Sequence, residues 1–395
     1  MPLTIRGARV VTPGRDLGVA TIRFEQGRIA AVLRPDADGV PAVHAADEID
    51  ASGLTALPGF VDIHSHGRSG YDFCDATDEA FEVMGRDRLQ DGVTSFLATG
   101  LTRPEEDLAE LCRCAERYKQ KMAKKGGGVG ATCLGVHLEG PFFAADCAGA
   151  QNPAYLCNPD IAMVDRLHAI SPVLKVSFSP ELPGSEEFTR ALVKRGIVAS
   201  LGHSSADWDC FQRMRAAGLT HITHFCNVVT PLHHLRPGVV GGGLLADDVY
   251  VEMICDGIHL MDPMIDIIAR LKGPDRMMII TDSMRAAGCP DGDYSLGGLP
   301  VVVTGGCARV RNADGSIGPI AGSTTLYYKG LQRLVRVTGL PLSEAVKATA
   351  YNQCRSLGIR DRGEIAVGQA GDVVLVDDEL KPVKTIVGGE VVWSC

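Results

Sequence analysis

The chain has 395 residues, 45% of them hydrophobic, which is enough apolar material for a large buried core. Its formal net charge of -9 argues against a nucleic-acid partner, because such proteins need a basic surface. Its 13 cysteines are scattered without metal-site spacing, and no stretch approaches the roughly eighteen apolar residues of a membrane span. We therefore expect reduced thiols, a cytoplasmic location and no association with a membrane.

The two ends of the chain share a pattern of short strands. Apolar and polar residues alternate around glycine and aspartate turns in LTIRGARVVTP near the start and in GEIAVGQAGDVVLVDD near the end. Between them the pattern changes to strands that alternate with helices. We predict that a catalytic domain, residues 58–354, is inserted into a small β-sandwich domain formed by residues 1–57 and 355–395.

Eight apolar segments of the middle region are predicted strands: GFVDIHSH, VTSFLAT, TCLGVHLEG, LKVSFSP, IVASLGHS, THITHFC, YVEMICDGIH and RMMIITDS. Helical patterns lie at about 78–91, 104–123, 159–170, 185–195, 205–217 and 262–271, and a longer one at about 323–338. The interval after the sixth strand is mostly loop, so its helix is the weakest. Buried apolar strands with helical crossovers predict an α/β fold of the (β/α)8 TIM-barrel class.

Imidazole and carboxylate side chains stand where these predicted strands end, which is where barrels of this class carry their chemistry. In chain order they are His64, His66, Glu139, His203, His224 and Asp282. Any one of them alone would more often be structural, and Asp282 in particular could cap a helix. Six at one rim favour a site for Zn²⁺ or Fe²⁺.

The residue types indicate hydrolysis. Glu139, His203 and His224 would give two imidazoles and one carboxylate, which leaves a metal position open for water. An ion there lowers the pKa of the water and polarises a carbonyl, and Asp282 could carry a proton to the leaving amine. His64 and His66 could hold a second ion, so we expect one or two divalent ions. GGGVG at 126–130 lacks the lysine of a phosphate-binding loop and is interpreted as a connection.

Further motifs carry a resemblance to a known family: GVHLEGPF, LGHSSAD, THFCN, PLHH, PGVVG, ICDGIH, IITDS and AGST. Over nearly its whole length the chain resembles the N-acetylglucosamine-6-phosphate deacetylases of the amidohydrolase superfamily. The resemblance implies metal-dependent loss of acetate from a phosphorylated amino sugar. It assigns metal ligation to Glu139, His203 and His224, acid/base catalysis to Asp282, and a second metal in some members to His64 and His66. It also implies a homodimer in which each subunit lends a residue to its neighbour.

The resemblance also assigns substrate contacts to Asn227, the backbone amide of Val228, and His259. Structural alternatives stay open, since Asn227 could end a turn and His259 could start a helix.

Two positions depart from the family pattern. Gln151 stands where a substrate-contacting histidine is expected, and an amide cannot carry a positive charge. Leu235 replaces an arginine that reaches a phosphate, although Arg236 follows it. The changes affect the expected substrate more than the expected reaction.

We therefore predict an N-acetylglucosamine-6-phosphate deacetylase-like enzyme of amino-sugar catabolism that contacts its substrate through Gln151, Asn227, Val228, Arg236 and His259. One alternative is a deacylase of another N-acyl amino sugar, either the galactosamine isomer or an unphosphorylated sugar. A second is a metal-binding sugar sensor without catalysis, which would not need the general base Asp282. A third is a purely structural barrel, which would bind no metal.

Overall fold

The computed structural model describes residues 3–34, 47–124 and 130–395, so most of the GGGVG segment lies outside the described residues. The N-terminal strands are β1 (Leu3–Thr12), β2 (Arg15–Glu25), β3 (Arg28–Leu33), β4 (Asp47–Asp50) and β5 (Thr55–Pro58). Next come the first barrel strand, β6 (Phe60–Asp62), and a short hairpin of β7 (Gly67–Arg68) and β8 (Tyr71–Asp72). The remaining barrel strands are β9 (Val93–Gly100), β10 (Thr132–Glu139), β11 (Val173–Phe178), β12 (Val198–Leu201), β13 (His221–Ile222), β14 (Tyr250–Met253) and β15 (Met277–Ile279).

These eight barrel strands pair in parallel in the order β6-β9-β10-β11-β12-β13-β14-β15, which confirms the predicted α/β barrel. Every residue of β9 is buried, as expected for a strand covered on both faces. The backbone N–H of Asp282 donates to the carbonyl of His64 over 2.8 Å, which links the last strand to the first. The barrel is thus nearly closed.

Helices lie between the barrel strands at the predicted places, and two short ones follow the long eighth helix. They are α1 (Asp78–Asp87), α2 (Glu105–Lys124), α3 (Ile161–His168), α4 (Ser185–Lys194), α5 (Trp208–Ala217), α6 (Gly238–Leu245), α7 (Asp262–Lys272), α8 (Tyr327–Thr338), α9 (Leu342–Ala345) and α10 (Tyr351–Ser356). The α5 helix starts later than predicted because the Asp207 side chain caps it by accepting from the Cys210 N–H. Within the described residues, no helix has both the length and the apolar character to cross a membrane.

An antiparallel sheet that sequence patterns did not predict follows the last barrel strand. It consists of β16 (Gly292–Leu296), β17 (Leu299–Thr304), β18 (Cys307–Arg311) and β19 (Ile317–Ile320). Gly297-Gly298 and Gly305-Gly306 form its first two turns with positive φ at all four residues, as tight hairpins require. These Gly-Gly pairs between alternating segments were the signal for the sheet. Its buried face packs on Leu101 and Met284, beside the barrel mouth.

The chain ends meet in one mixed sheet, completed by β20 (Val373–Val376), β21 (Pro382–Val387) and β22 (Glu390–Ser394). Its order is β22-β21-β20-β5-β1-β2-β3, and β4 pairs with the first part of β1. The sheet has its own apolar core, which includes Ile5, Phe24, Val373 and Ile386. Strands from both ends therefore pair with one another, as expected, in one mixed sheet where a β-sandwich was predicted, while the boundaries at 57/58 and 354/355 stay predictions.

Candidate metal centre

The predicted metal ligands lie where barrel strands turn into loops. Glu139 is the last residue of β10, and His203 and His224 each follow their strand by two residues. His203, His224 and Asp282 have φ angles of 48°, 29° and 48°. Left-handed backbone costs a non-glycine residue about 1–3 kcal/mol and is concentrated at functional sites. The barrel therefore holds these side chains in a conformation that the isolated loops would disfavour.

Glu139, His203 and His224, here called the first subsite, converge on one point and are all buried. The His224 Nε2 lies 3.1 Å from Glu139 Oε1 and 3.1 Å from the His203 Nε2. The His203 Nε2 lies 3.4 Å from the same carboxylate oxygen. This arrangement offers two nitrogens and one oxygen to a single cation.

His64, His66 and Glu139 form a second such group, the second subsite. The Nε2 atoms of His64 and His66 are 3.3 Å apart, and the His66 Nε2 is 3.1 Å from Glu139 Oε2. Asp282 Oδ1 lies 3.1 Å from the His66 Nε2 and 3.4 Å from the His64 Nε2. Glu139 is therefore common to both subsites, and Asp282 borders the second.

The hydrogen bonds behind the imidazoles support a cation at this point. The Nδ1 of His203 lies 2.9 Å from the carbonyl of Cys147, and the Nδ1 of His66 lies 3.3 Å from that of Thr99. Because a carbonyl only accepts, each Nδ1 carries a hydrogen, and each neutral ring presents a lone pair at Nε2. The Nε2 lone pairs and the Glu139 carboxylate repel each other unless a positive charge lies between them. These residues therefore fit a divalent metal ion.

The pKa directions of these groups agree with a site for positive charge. Burial alone would lower the pKa of His64, but the facing carboxylates of Asp282 and Glu139 raise it to about 9. Burial would raise the pKa of Glu139, yet His64 and His66 hold it well below its usual range. The carboxylates thus favour a positive charge next to them. A divalent ion bound to neutral imidazoles supplies that charge in place of protonated histidines.

Gln151, predicted as a substrate contact, also contacts a predicted metal ligand. Its side-chain NH₂ donates to Glu139 Oε2 over 2.6 Å, and its carbonyl accepts from the Thr102 backbone N–H over 2.8 Å. The residue is buried, although it also lines the cavity. Both the NH₂ and the carbonyl of the amide therefore bond to groups of the protein. The bond from the NH₂ orients the Glu139 carboxylate.

A cavity of about 170 Å³ opens beside the two subsites. Its lining includes most of the predicted site residues: His66, Glu139, Gln151, His203, His224, Asn227, Val228, His259 and Asp282. The cavity also has apolar lining residues, namely Leu101, Leu296, Pro319 and Ile320. Sequence patterns did not indicate these apolar residues, because most belong to the antiparallel sheet that was not predicted.

Two of the lining residues also hold the loops in place. The Asn227 side-chain NH₂ donates to the carbonyls of His224 and Phe225, which is the turn role kept open for it. The His259 Nδ1 donates to Asp256 Oδ2 over 2.7 Å, so the His259 Nε2 is left as its second polar atom. Both residues can face a ligand while they stabilise the rim.

Arg236 does not line the cavity of its own chain. It lies in an exposed loop, where its backbone pairs with His233, and Leu235 beside it is 76% exposed. The lining residues of the described cavity include neither lysine nor arginine. This is the one predicted substrate contact that the fold of the single chain keeps away from the site.

Glu252 contacts the site through His64 and is paired with Lys175, and no role was predicted for either residue from the sequence. Glu252 is a residue of β14 and Lys175 of β11, and both side chains are fully buried inside the barrel. His137 is in the same layer, with its ring nitrogens bonded to Thr99 and Ser177. A charged residue within an otherwise apolar strand is the sequence signal that could have identified Glu252 and Lys175.

Comparisons with known proteins agree with this geometry. The amidohydrolase family pattern matches residues 55–392. An N-acetylglucosamine-6-phosphate deacetylase from Lysinibacillus sphaericus is 34% identical over 99% of this chain and 98% of its own. An N-acetylgalactosamine-6-phosphate deacetylase from Escherichia coli O157:H7 is 32% identical, with 96% of each chain covered.

A solved structure extends the comparison to the fold. An N-acetyl-D-glucosamine-6-phosphate deacetylase from Mycobacterium smegmatis, an aspartate-to-alanine mutant in complex with N-acetyl-D-glucosamine-6-phosphate, has a TM-score of 0.88 and 31% identity. The match covers 100% of this chain and 99% of that chain. The family pattern, the relatives and the structure all extend over the barrel and its strand-end residues. The chain therefore belongs to the amidohydrolase family.

Proposed function

We propose that this protein is a metal-dependent hydrolase that removes acetate from N-acetylglucosamine-6-phosphate and releases glucosamine-6-phosphate. The observation that carries the proposal is the convergence of four imidazoles and two carboxylates at the mouth of an amidohydrolase barrel. The names of the relatives support the substrate. A non-catalytic sugar sensor is less well supported, because it would not need Asp282 beside the second subsite.

In this mechanism, Glu139, His203 and His224 would hold one divalent ion, and His64, His66 and Glu139 could hold a second. Zinc and iron both suit this set of nitrogen and oxygen donors. When bound, such ions lower the pKa of a water molecule and polarise the amide carbonyl of the substrate. The chain itself supplies the orientation of the donors and the path of the proton.

Asp282 is the proposed proton carrier. Burial would raise its pKa, but the adjacent His64 and His66 lower it below the usual range, so the carboxylate is ionised at neutral pH. It faces the cavity, where it accepts the proton of the attacking water and passes it to the leaving nitrogen. The apolar lining residues of the same cavity, which include Leu101 and Ile320, limit the water around this transfer.

A second candidate substrate is an N-acyl amino sugar that carries no phosphate. The observation that favours it is the cavity lining, which has no cationic side chain from lysine or arginine among the described residues. Phosphate is usually held by such cations. The galactosamine isomer is a further candidate, since one relative has the name of a deacetylase for that phosphorylated sugar.

We also propose a homodimer, in which a neighbouring subunit completes the phosphate end of the cavity. The exposed apolar side chains of Leu232 and Leu235, on the loop that carries Arg236, support an interface there. Sedimentation velocity at several protein concentrations tests this directly. A monomer at every concentration would contradict the dimer.

A substrate panel tests the proposed function. Acetate release would be measured from N-acetylglucosamine-6-phosphate, its galactosamine isomer and both unphosphorylated sugars, with metal content determined on the same sample. We expect the highest kcat/KM with N-acetylglucosamine-6-phosphate. Turnover of unphosphorylated sugars alone would support the second candidate, and no acetate release by a metal-loaded protein would contradict deacetylation.

A further inference from the structure

A buried chain of charges lies beneath the second subsite. The Lys175 ammonium donates to Glu252 Oε1, and the other oxygen of this carboxylate, Oε2, lies 3.3 Å from the His64 Nδ1. The side chains of all three residues are completely buried. Lys175 and Glu252 come from strands on different sides of the barrel, so the interaction crosses its interior.

The geometry assigns a tautomer to His64. A ring that binds a metal must be neutral, and an ionised carboxylate only accepts hydrogen bonds, so in a metal-binding His64 the hydrogen lies on Nδ1. The Nε2 then presents its lone pair toward the second subsite, where Glu139 Oε1 is 3.4 Å away. A ring with its hydrogen on Nε2 could not bind a metal through that atom.

His64 differs in this respect from the other three predicted imidazole ligands. His66 and His203 are oriented by backbone carbonyls, and the buried Nδ1 of His224 has no hydrogen-bond partner among the described residues. In the part of the chain that the structure describes, His64 alone among the four has its Nδ1 oriented by a carboxylate side chain. The hydrogen bond that orients His64 can therefore be removed by substituting Glu252, whereas a backbone carbonyl cannot be removed by a side-chain substitution.

Lys175 is needed for this arrangement because an unpaired buried carboxylate is costly. Both oxygens of the Glu252 carboxylate have a nitrogen within hydrogen-bond distance, the Lys175 Nζ at Oε1 and the His64 Nδ1 at Oε2. The ammonium compensates the buried carboxylate, which accepts from both neighbours.

We propose that Glu252, paired with Lys175, is a positioning residue that keeps His64 as an Nε2 ligand and thereby determines occupancy of the second subsite. The inference rests on the proposed metal-dependent function. It predicts that changes at Glu252 weaken binding of the second ion and leave the first subsite unchanged, because, within the described residues, no side chain of the first subsite hydrogen-bonds to the side chain of Glu252 or Lys175.

Glu252→Gln is the first test. Lys175 can only donate, so it would attract the amide oxygen and turn the NH₂ toward the His64 Nδ1. His64 would then carry its hydrogen on Nε2, the wrong atom for a ligand. Titration of the metal-depleted full-length protein with Zn²⁺ against a chelator should show about 100-fold weaker second-ion binding and unchanged first-ion binding.

Two double variants separate positioning from general stability. Both carry Lys175→Met, which removes the buried ammonium, so we expect both to unfold near the wild-type temperature. With Glu252→Gln the amide is free to turn its oxygen to His64, and second-ion affinity should return to within about tenfold of wild type. With Glu252→Leu no acceptor is left, and affinity should stay about 10–100-fold lower.

The outcomes are distinct. Wild-type second-ion affinity in the Lys175→Met, Glu252→Leu protein would overturn the inference, and so would a wild-type protein that binds one ion only. A loss of affinity that follows unfolding temperature in all three variants would indicate a merely structural role and also overturn it. If the wild type binds two ions but releases no acetate, the proposed function fails while this inference stands.

Discussion

Replacing Gln151 with leucine is expected to loosen the shared ligand Glu139. The substitution keeps the approximate volume and removes two buried hydrogen bonds, one to the Glu139 carboxylate and one from the Thr102 N–H. A bond to a charged group contributes about 1.5–3 kcal/mol, and a buried N–H without a partner costs about 1–3 kcal/mol. We expect a total loss of about 2.5–4 kcal/mol, in the lower half of the summed range, because relaxation of the Thr102 loop recovers part of the cost.

The assay measures stability and metal binding on the same samples. For a chain of this length, a loss of that size lowers the unfolding temperature of the metal-free protein by about 3–5 °C. Metal affinity should fall about 10–100-fold, as is usual when the partner of a ligand is removed. Both subsites should weaken, because Glu139 belongs to both.

Asn152→Ala is the matched control. This neighbouring amide accepts from the Ala154 N–H and is not among the residues that line the cavity. Its loss should leave metal affinity unchanged. The reasoning would be refuted if Gln151→Leu bound both ions as tightly as wild type, because the amide would then have no part in orienting Glu139.

Three further predictions concern catalysis, specificity and pH. Asp282→Asn should keep its metal content while kcat falls about 10²–10⁴-fold, and unchanged turnover would eliminate the assigned base. Leu235→Arg should raise kcat/KM for phosphorylated over unphosphorylated sugars by about tenfold or more, if the residue reaches a neighbour's phosphate; an unchanged ratio would contradict that role. Burial lowers the pKa of Lys272 from 10.5 to about 8. Between about pH 8 and 10.5 the unfolded chain therefore binds more protons at this lysine than the folded protein does. The free energy of unfolding should therefore gain a rising contribution between about pH 8 and 10.5 that Lys272→Met lacks, as measured by denaturant titration across that range.

Much of the barrel could be predicted because its strands are short apolar runs that are buried on both faces. The eight predicted strands and the helices between them are confirmed, since hydrophobic periodicity is a local property. The antiparallel sheet of residues 292–320 escaped prediction because its strands are only half buried and resemble loop sequence. Its Gly-Gly turns were the remaining local signal.

The sequence by itself determined which chemical groups stand at the ends of the barrel strands, and with them the family and the class of reaction. Parallel strands of one barrel end at the same rim, so position in the chain was enough to group Glu139, His203 and His224.

Only the tertiary structure decided how these groups are supported. Gln151 contacts Glu139, Lys175 reaches His64 through Glu252 across the barrel, and Arg236 is not among the described residues that line the cavity. These contacts join residues far apart in the chain and depend on distances of a few tenths of an ångström. Such distances follow from packing of the whole barrel, which no local pattern of residues specifies.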